Sequence, residues 1–156
     1  MLYAVVSDVH GNRQALEAVL DHARRRGAEM LLDLGDTLYG PLDPRGTWEL
    51  LNSPGLPAVH VMGNQDRDLF DPASDPALNP SLPYARSQLG AEQLAWLRAL
   101  PAQATHGEVR ACHGTPSSDQ VYLLERITAG ANRLRAPDEI ARLAGSVRER
   151  VLLCGH

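Results

Sequence analysis

Five short apolar runs in this chain each stop at a polar group beside a glycine. Residues 2–6 lead into Asp8-Val9-His10-Gly11, and 30–34 into Gly35-Asp36. Residues 58–62 lead into Gly63-Asn64, 109–112 into His113-Gly114, and 151–154 into Gly155-His156. Apolar runs of this length, bounded by turn residues, read as buried strands. Between the first two, Ala15, Leu16, Val19, Leu20 and Ala23 follow helical spacing over 13–26. Asn12 stands ready as N-cap and Gly27 as the stop. Strand, helix, strand requires a parallel pair with a right-handed crossover. Such a sheet gathers the carboxyl ends of its strands along one edge, where open α/β sheets carry ligands. In extended chain, residues two apart project the same way, so Asp8 and His10 are expected side by side with Val9 opposite.

Further along, Asp43 followed by Pro44 starts a helix that runs to about Leu51 and breaks at Pro54 and Gly55. Gly63 and Asn64 suit a tight, left-handed turn. Residues 68–84, rich in Asp and Pro, read as a long aperiodic loop. A helix resumes near Gly90 with Leu94, Leu97 and Leu100 inward and ends at Pro101. Residues 102–105 and 109–112 form a hairpin around His106-Gly107-Glu108, with His106 exposed at the tip. Residues 118–128 read as helical, and Ala136-Pro137-Asp138-Glu139 opens a last helix. His60 and Asp33 lie inside strands and are assigned structural roles. His22 is expected on an exposed helix surface.

The bulk properties narrow the function. The chain of 156 residues is long enough for one domain, 1–156, with a real core. A net charge of -4 argues against coating nucleic acid, and Arg24-Arg25-Arg26 closes a helix, where cations suit the dipole. All 15 basic residues are arginine, which excludes a Walker P-loop and any Schiff-base lysine. Cys112 and Cys154, both in apolar runs, read as small core residues rather than a disulfide. No signal peptide or membrane-length run is visible, so the expected compartment is the cytoplasm, with no membrane partner.

The polar groups at the strand ends supply two carboxylates (Asp8, Asp36), three imidazoles (His10, His113, His156) and one amide carbonyl (Asn64). Two carboxylates in an apolar-walled cleft repel unless a cation or proton intervenes. A mixed nitrogen and oxygen set of this size suits two divalent ions about 3.5–4 Å apart, an arrangement used in phosphoryl chemistry.

The ordered set Asp8-x-His10, Gly35-Asp36, Gly63-Asn64-x-Asp66, His113-Gly114 and Gly155-His156 resembles the calcineurin-like metallophosphoesterases. Tyr39-Gly40-Pro41, the stretch Ala95-Trp96-Leu97-Arg98-Ala99-Leu100-Pro101, and His113-Gly114-Thr115-Pro116 followed by Tyr122-Leu123 resemble its small bacterial phosphodiesterase branch. The resemblance implies a four-layer α/β/β/α sandwich and a metal-dependent hydrolase of phosphodiester or related bonds. It implies that Asp8 and His10 bind a first ion, that Asp36 bridges, and that Asn64, His113 and His156 bind a second. Manganese is the expected metal, with iron, zinc or nickel as alternatives, and a metal-bridging hydroxide would attack phosphorus. Asp66 would orient a ligand imidazole or, alternatively, stabilise its own turn. Tyr39 and Arg45 stand as candidate substrate contacts, and the expected partner is a small phosphate ester.

Two departures stand out. Many relatives carry histidine, the general acid for the leaving group, where this chain has Gln65. The family pattern also continues Gly-His-x-His, whereas this chain stops at His156, so C-terminal strands and one ligand of the first metal are expected to be missing. Two other readings remain. One is a phosphomonoesterase or dinucleoside-polyphosphate hydrolase using the same site. The other is a non-catalytic scaffold, like the retromer subunit of this fold.

Overall fold

The computed structural model describes residues 1–128 and 130–156. The first half builds a parallel sheet from β1 (Tyr3–Val6), β2 (Met30–Asp33) and β3 (Ala58–His60), in that spatial order. Val5 lies opposite Leu32, and Leu32 opposite Val59. Helix α1 (Arg13–Arg25) makes the first crossover and α2 (Pro44–Leu51) the second. Both start on local signals. The Asn12 side chain accepts the Ala15 amide at 3.1 Å, and Asp43 accepts the Gly46 amide at 2.8 Å with Pro44 in the first turn. Only Leu16, Leu20 and Ala23 of the α1 stripe are buried; Val19 is 45% exposed. Leu16 and Leu20 pack with Leu31 of β2 against Ala4, Val6, Leu50 and Leu51. Burial of a leucine of this kind contributes roughly 1.5–3 kcal/mol.

The second half builds another sheet from β4 (Gln103–His106), β5 (Val109–Cys112) and, after two later strands, β8 (Val151–Cys154). β4 and β5 are the expected hairpin, while β8 runs parallel to β5 with Cys154 opposite Cys112. Leu34 and Val61, just past the ends of β2 and β3, pack with Ala111, Ala104 and Leu153 of this second sheet. Helices and two facing sheets make up the α/β sandwich expected from the sequence. Helices α3 (Asn64–Asp68), α4 (Leu82–Gln88) and α5 (Ala91–Ala99) surround a further core of Leu38, Leu69, Leu82, Ala85 and Leu97.

Four expectations need correction. Gly63 is extended, at φ -90°, and opens α3 rather than a left-handed turn. The loop 68–84 ends earlier than expected, because Leu82 and Ala85 bury one face of α4. The Arg86 side chain holds that loop by donating to the carbonyls of Asp68, Leu69 and Asp71. Residues 118–128 are not helical. They end in β6 (Glu125–Thr128), which pairs with β7 (Ala131–Leu134) as an antiparallel ribbon, consistent with β-branched Ile127 and Thr128. His106 is not simply exposed: its Nδ1 lies 3.0 Å from the Tyr3 hydroxyl, tying the hairpin to β1. Helix α6 (Pro137–Ala144) begins where Pro137 predicts, and no helix among the described residues is long and apolar enough to cross a membrane.

Candidate metal centre

Asp8 and His10 do meet at the carboxyl edge of the first sheet, but not through strand alternation. β1 stops at Val6, and both residues adopt left-handed backbone, at φ 53° and 50°. Asp36 (φ 54°) and His156 (φ 72°) do the same, and these four are the positive-φ residues other than glycine among those described. Such a conformation costs on the order of 1–3 kcal/mol per residue and persists only where the surroundings impose it. Here the loop after β1 is strapped to the loop after β2. The amides of Asp8, His10 and Gly11 donate to the carbonyls of Gly35, Asp36 and Thr37 at 2.9, 3.0 and 2.9 Å. The loop after β3 closes on the same point. A Cβ on Gly63 would stand 2.1 Å from Asp36 Oδ1, so only glycine permits this approach.

The outcome is two groups of potential ligands that share one residue. Asp8, His10 and Asp36 offer donor atoms all within 4.8 Å of one another, and so do Asp36, His113 and His156. Asn64 joins the second group, with its Oδ1 3.0 Å from His113 Nε2. Asp36 is 3% exposed and His113 1%, whereas the Asp8 and His10 side chains keep 34% and 37% of their surface. The site therefore has a closed end at His113 and an open end at His10.

Hydrogen bonds decide which ring nitrogens are available. His113 Nδ1 donates to the Leu34 carbonyl at 2.8 Å, and His10 Nδ1 donates to the Tyr39 carbonyl at 2.9 Å. Each neutral ring then presents Nε2 as a lone pair to the site, the usual arrangement for a histidine ligand. At His113 this turns the Nε2 lone pair toward the carbonyl oxygen of Asn64 and toward Asp36 Oδ2, 3.4 Å away. Three acceptors facing one another require a proton or a cation between them. Burial opposes charge on His113, but the hydrogen bond and charge of Asp36, the Leu34 carbonyl and Asp8 raise its pKa above the ordinary value. Burial likewise favours protonation of Asp36, yet His113, the Gln65 amide and His10 outweigh it and hold that carboxyl low. Asp36 and His113 thus favour a shared positive charge between them, and a divalent ion would supply it in place of a proton. The residues fit a metal centre.

Several expected roles change. Asp66 is fully buried, and among the described residues its hydrogen-bond partners are backbone amides rather than an imidazole. It accepts the amides of Thr37 at 3.0 and 2.9 Å and of Leu38 at 2.9 Å, shaping the backbone after Asp36, and the Gly63 amide at 3.5 Å, the turn-stabilising role expected as its alternative. Burial first, and then the charges of Asp36 and Asp33, push its pKa up to about 7. Tyr39 is 7% exposed and packs in the core with Leu38 and Leu69; its carbonyl accepts from His10, and its ring stands edge-on to the His10 ring with centroids 6.2 Å apart. Arg45 lies on the exposed face of α2 and pairs with Glu49 at 3.1 Å instead of turning to the site. Gln65 sits beside the centre, and its backbone amide donates to Asp36 Oδ1 at 2.8 Å. His60 is structural: its Nδ1 lies 2.9 Å from Asp33 Oδ2, and that oxygen also accepts the Thr37 hydroxyl.

Sequence reasoning missed Ser7, whose hydroxyl donates to Asp8 Oδ2, and gave no role to the Tyr122 ring, which stacks on His156 at 4.1 Å and 18°. Ser7 gives no signal of its own in the sequence. Tyr122 is visible only as part of the stretch after His113.

Comparison with known proteins agrees with this geometry. A family model described as "Calcineurin-like phosphoesterase" matches residues 1–156. The uncharacterized protein MJ0912 of Methanocaldococcus jannaschii is 30% identical over 104 residues, covering 64% of this chain and 42% of that protein. A metallophosphoesterase from Sphaerobacter thermophilus superposes with a TM-score of 0.63 at 33% identity, over 79% of this chain and 51% of its own. The hypothetical protein PH1004 from Pyrococcus horikoshii OT3 shares the fold, with a TM-score of 0.76 at 21% identity over 99% of this chain and 69% of its own. The chain spans about half the length, or less, of the first two. With its whole length matched, this chain belongs to the calcineurin-like phosphoesterase family.

Proposed function

We propose that this chain carries the binuclear metal centre of a phosphoester hydrolase that acts on phosphodiesters. The observation that carries the reading is the pair of ligand groups joined at Asp36. When bound, two divalent ions supply Lewis-acid polarisation of the phosphoryl group and lower the pKa of water. Asp8 and His10 would hold one ion, Asn64, His113 and His156 the other, and Asp36 both. Manganese suits this mixture of oxygen and imidazole donors, with iron, zinc and nickel as alternatives. The Leu34 and Tyr39 carbonyls fix the two imidazoles in the tautomer that presents Nε2. The Gln65 amide holds one oxygen of Asp36, leaving the other toward His113. The Gln65 side chain can donate a hydrogen bond to a departing oxygen but no proton near neutral pH. Without lysine in the chain, recognition of a small phosphate ester falls to bound ions and arginines. Free Cys112 and Cys154 suit a reducing compartment, the cytoplasm.

The test is hydrolysis by the purified full chain, stripped with chelator and reloaded with Mn²⁺, Fe²⁺, Zn²⁺ or Ni²⁺. The panel contains an aryl phosphodiester, the matching monoester and a dinucleoside polyphosphate. Metal-dependent turnover with the diester ahead supports the reading. A monoester or polyphosphate preference moves it to the corresponding hydrolase. Metal uptake without turnover of any substrate returns the scaffold reading.

A further inference from the structure

We infer that Ser7 is a positioning residue that makes Asp8 a one-oxygen ligand and locks it to the turn bearing His156. The inference rests on the metal-centre reading above and concerns a residue outside the ligand set. Asp8 Oδ2 accepts two hydrogen bonds, one from the Ser7 hydroxyl and one from the His156 amide at 3.1 Å. A carboxylate oxygen has two lone-pair sites, so Oδ2 is fully used. Oδ1 is left for the site, 3.8 Å from His10 Nε2. Asp8 itself stands in left-handed backbone, so its side chain is aimed by these contacts rather than by a strand.

The fit is made from both ends of the chain. A Cβ added at Gly155 would lie 1.9 Å from Ser7 Oγ and 3.2 Å from Asp8 Oδ2. The hydroxyl thus fills the space that glycine leaves. The Gly155 amide donates to the His113 carbonyl at 2.7 Å, so the turn that presses on Ser7 carries one ligand of the second group, His156, and is tied to another, His113. Ser7 is where the first group meets that turn. Hydrogen-bond partners of ligands of this kind typically govern metal affinity by 10–100-fold.

The experiment titrates metal-free full chain with Mn²⁺ and follows free and spin-coupled Mn²⁺ by electron paramagnetic resonance. Wild type and Ser7→Ala are compared, with thermal melting in chelator as the control for folding. The expected result is a loss of roughly tenfold or more in affinity at one of two sites, with the other site and the metal-free melting point unchanged. Equal affinities in variant and wild type overturn the inference. So does an equal loss at both sites, which is what a merely structural serine would give. Gly155→Ala, whose added methyl displaces the hydroxyl, should weaken the same site. Combining it with Ser7→Ala should cost no more than Gly155→Ala alone, because both changes remove one contact. Additive losses refute the shared contact. A wild-type chain that takes up no Mn²⁺ overturns the metal-centre reading itself, before any variant is compared.

Discussion

Replacing Asp66 separates the backbone clamp seen here from the imidazole-orienting role expected from its sequence position. Asp66→Ala leaves the Thr37 and Leu38 amides without acceptors in a fully buried place. Each orphaned buried donor costs about 1–3 kcal/mol. Removing a buried carboxylate next to Asp36 and Asp33 returns part of that, so the net loss is about 2–4 kcal/mol. For a chain of this size each kcal/mol moves Tm by about 2–4 °C, and the expected drop is about 5–15 °C. Asp66→Asn behaves differently. In the wild type Oδ1 reaches both amides, so an amide oxygen in its place keeps both bonds, but the NH₂ then faces the Thr37 amide that Oδ2 now accepts at 2.9 Å, and the loss is about 1–2 kcal/mol, smaller than for alanine. The pH dependence follows from the raised pKa. A carboxyl at about 7 in the fold against an ordinary 3.8 contributes stability that is full below about pH 4 and lost as pH rises through 7. Asp66→Asn should abolish that part of the slope. The assay is thermal melting in chelator between pH 4 and 8, since bound metal would add its own stabilisation. An Asp66→Ala protein that melts within about 2 °C of wild type at pH 4, where the carboxyl carries no ionisation penalty, refutes the clamp.

Three further outcomes are expected. Asp36→Asn should remove both metals from the Mn²⁺-loaded protein by elemental analysis, while His60→Ala leaves both in place; loss of a single ion would give Asp36 a terminal role. With Gln65 unable to donate a proton, rates across a series of phosphodiesters should fall steeply as the leaving-group pKa rises. Gln65→Ala should cost far less than loss of a ligand, because general acid catalysis worth about 10²–10⁴-fold is not there to lose; a flat series would show that another group supplies the proton. Glu149, held down to about 2 foremost by its hydrogen bond from Arg110, contributes stability above its ordinary 4.5 that is lost as pH falls through about 2. Melting of Glu149→Gln should therefore differ from wild type at neutral pH and converge with it near pH 2.

Much of this architecture is legible in the chain because its signals are local. Asn12 and Asp43 cap the helices they precede, Pro137 opens α6, and short apolar runs become strands wherever a neighbour covers them. The ligand types at the strand ends are legible for the same reason: each stands where a buried run must stop. The ribbon of β6 and β7 was not legible, because its strands are defined by pairing with each other rather than by a buried face. Nor was the way the ligands are aimed. Strand alternation predicted the neighbouring of Asp8 and His10 for the wrong reason. Their direction comes from left-handed backbone imposed by the Gly35, Asp36 and Thr37 carbonyls, which lie more than 25 residues away in the chain. The burial of Tyr39 beside His10, the pairing of Arg45 with Glu49, and the turn of Asp66 toward Thr37 and Leu38 likewise depend on what the sandwich places beside them. Local backbone preference and apolar spacing set the elements and the kinds of ligand. Packing of the two sheets alone brings Asp36 between Asp8 and His113, because hydrogen bonds and close glycine contacts between distant loops have no counterpart in sequence spacing.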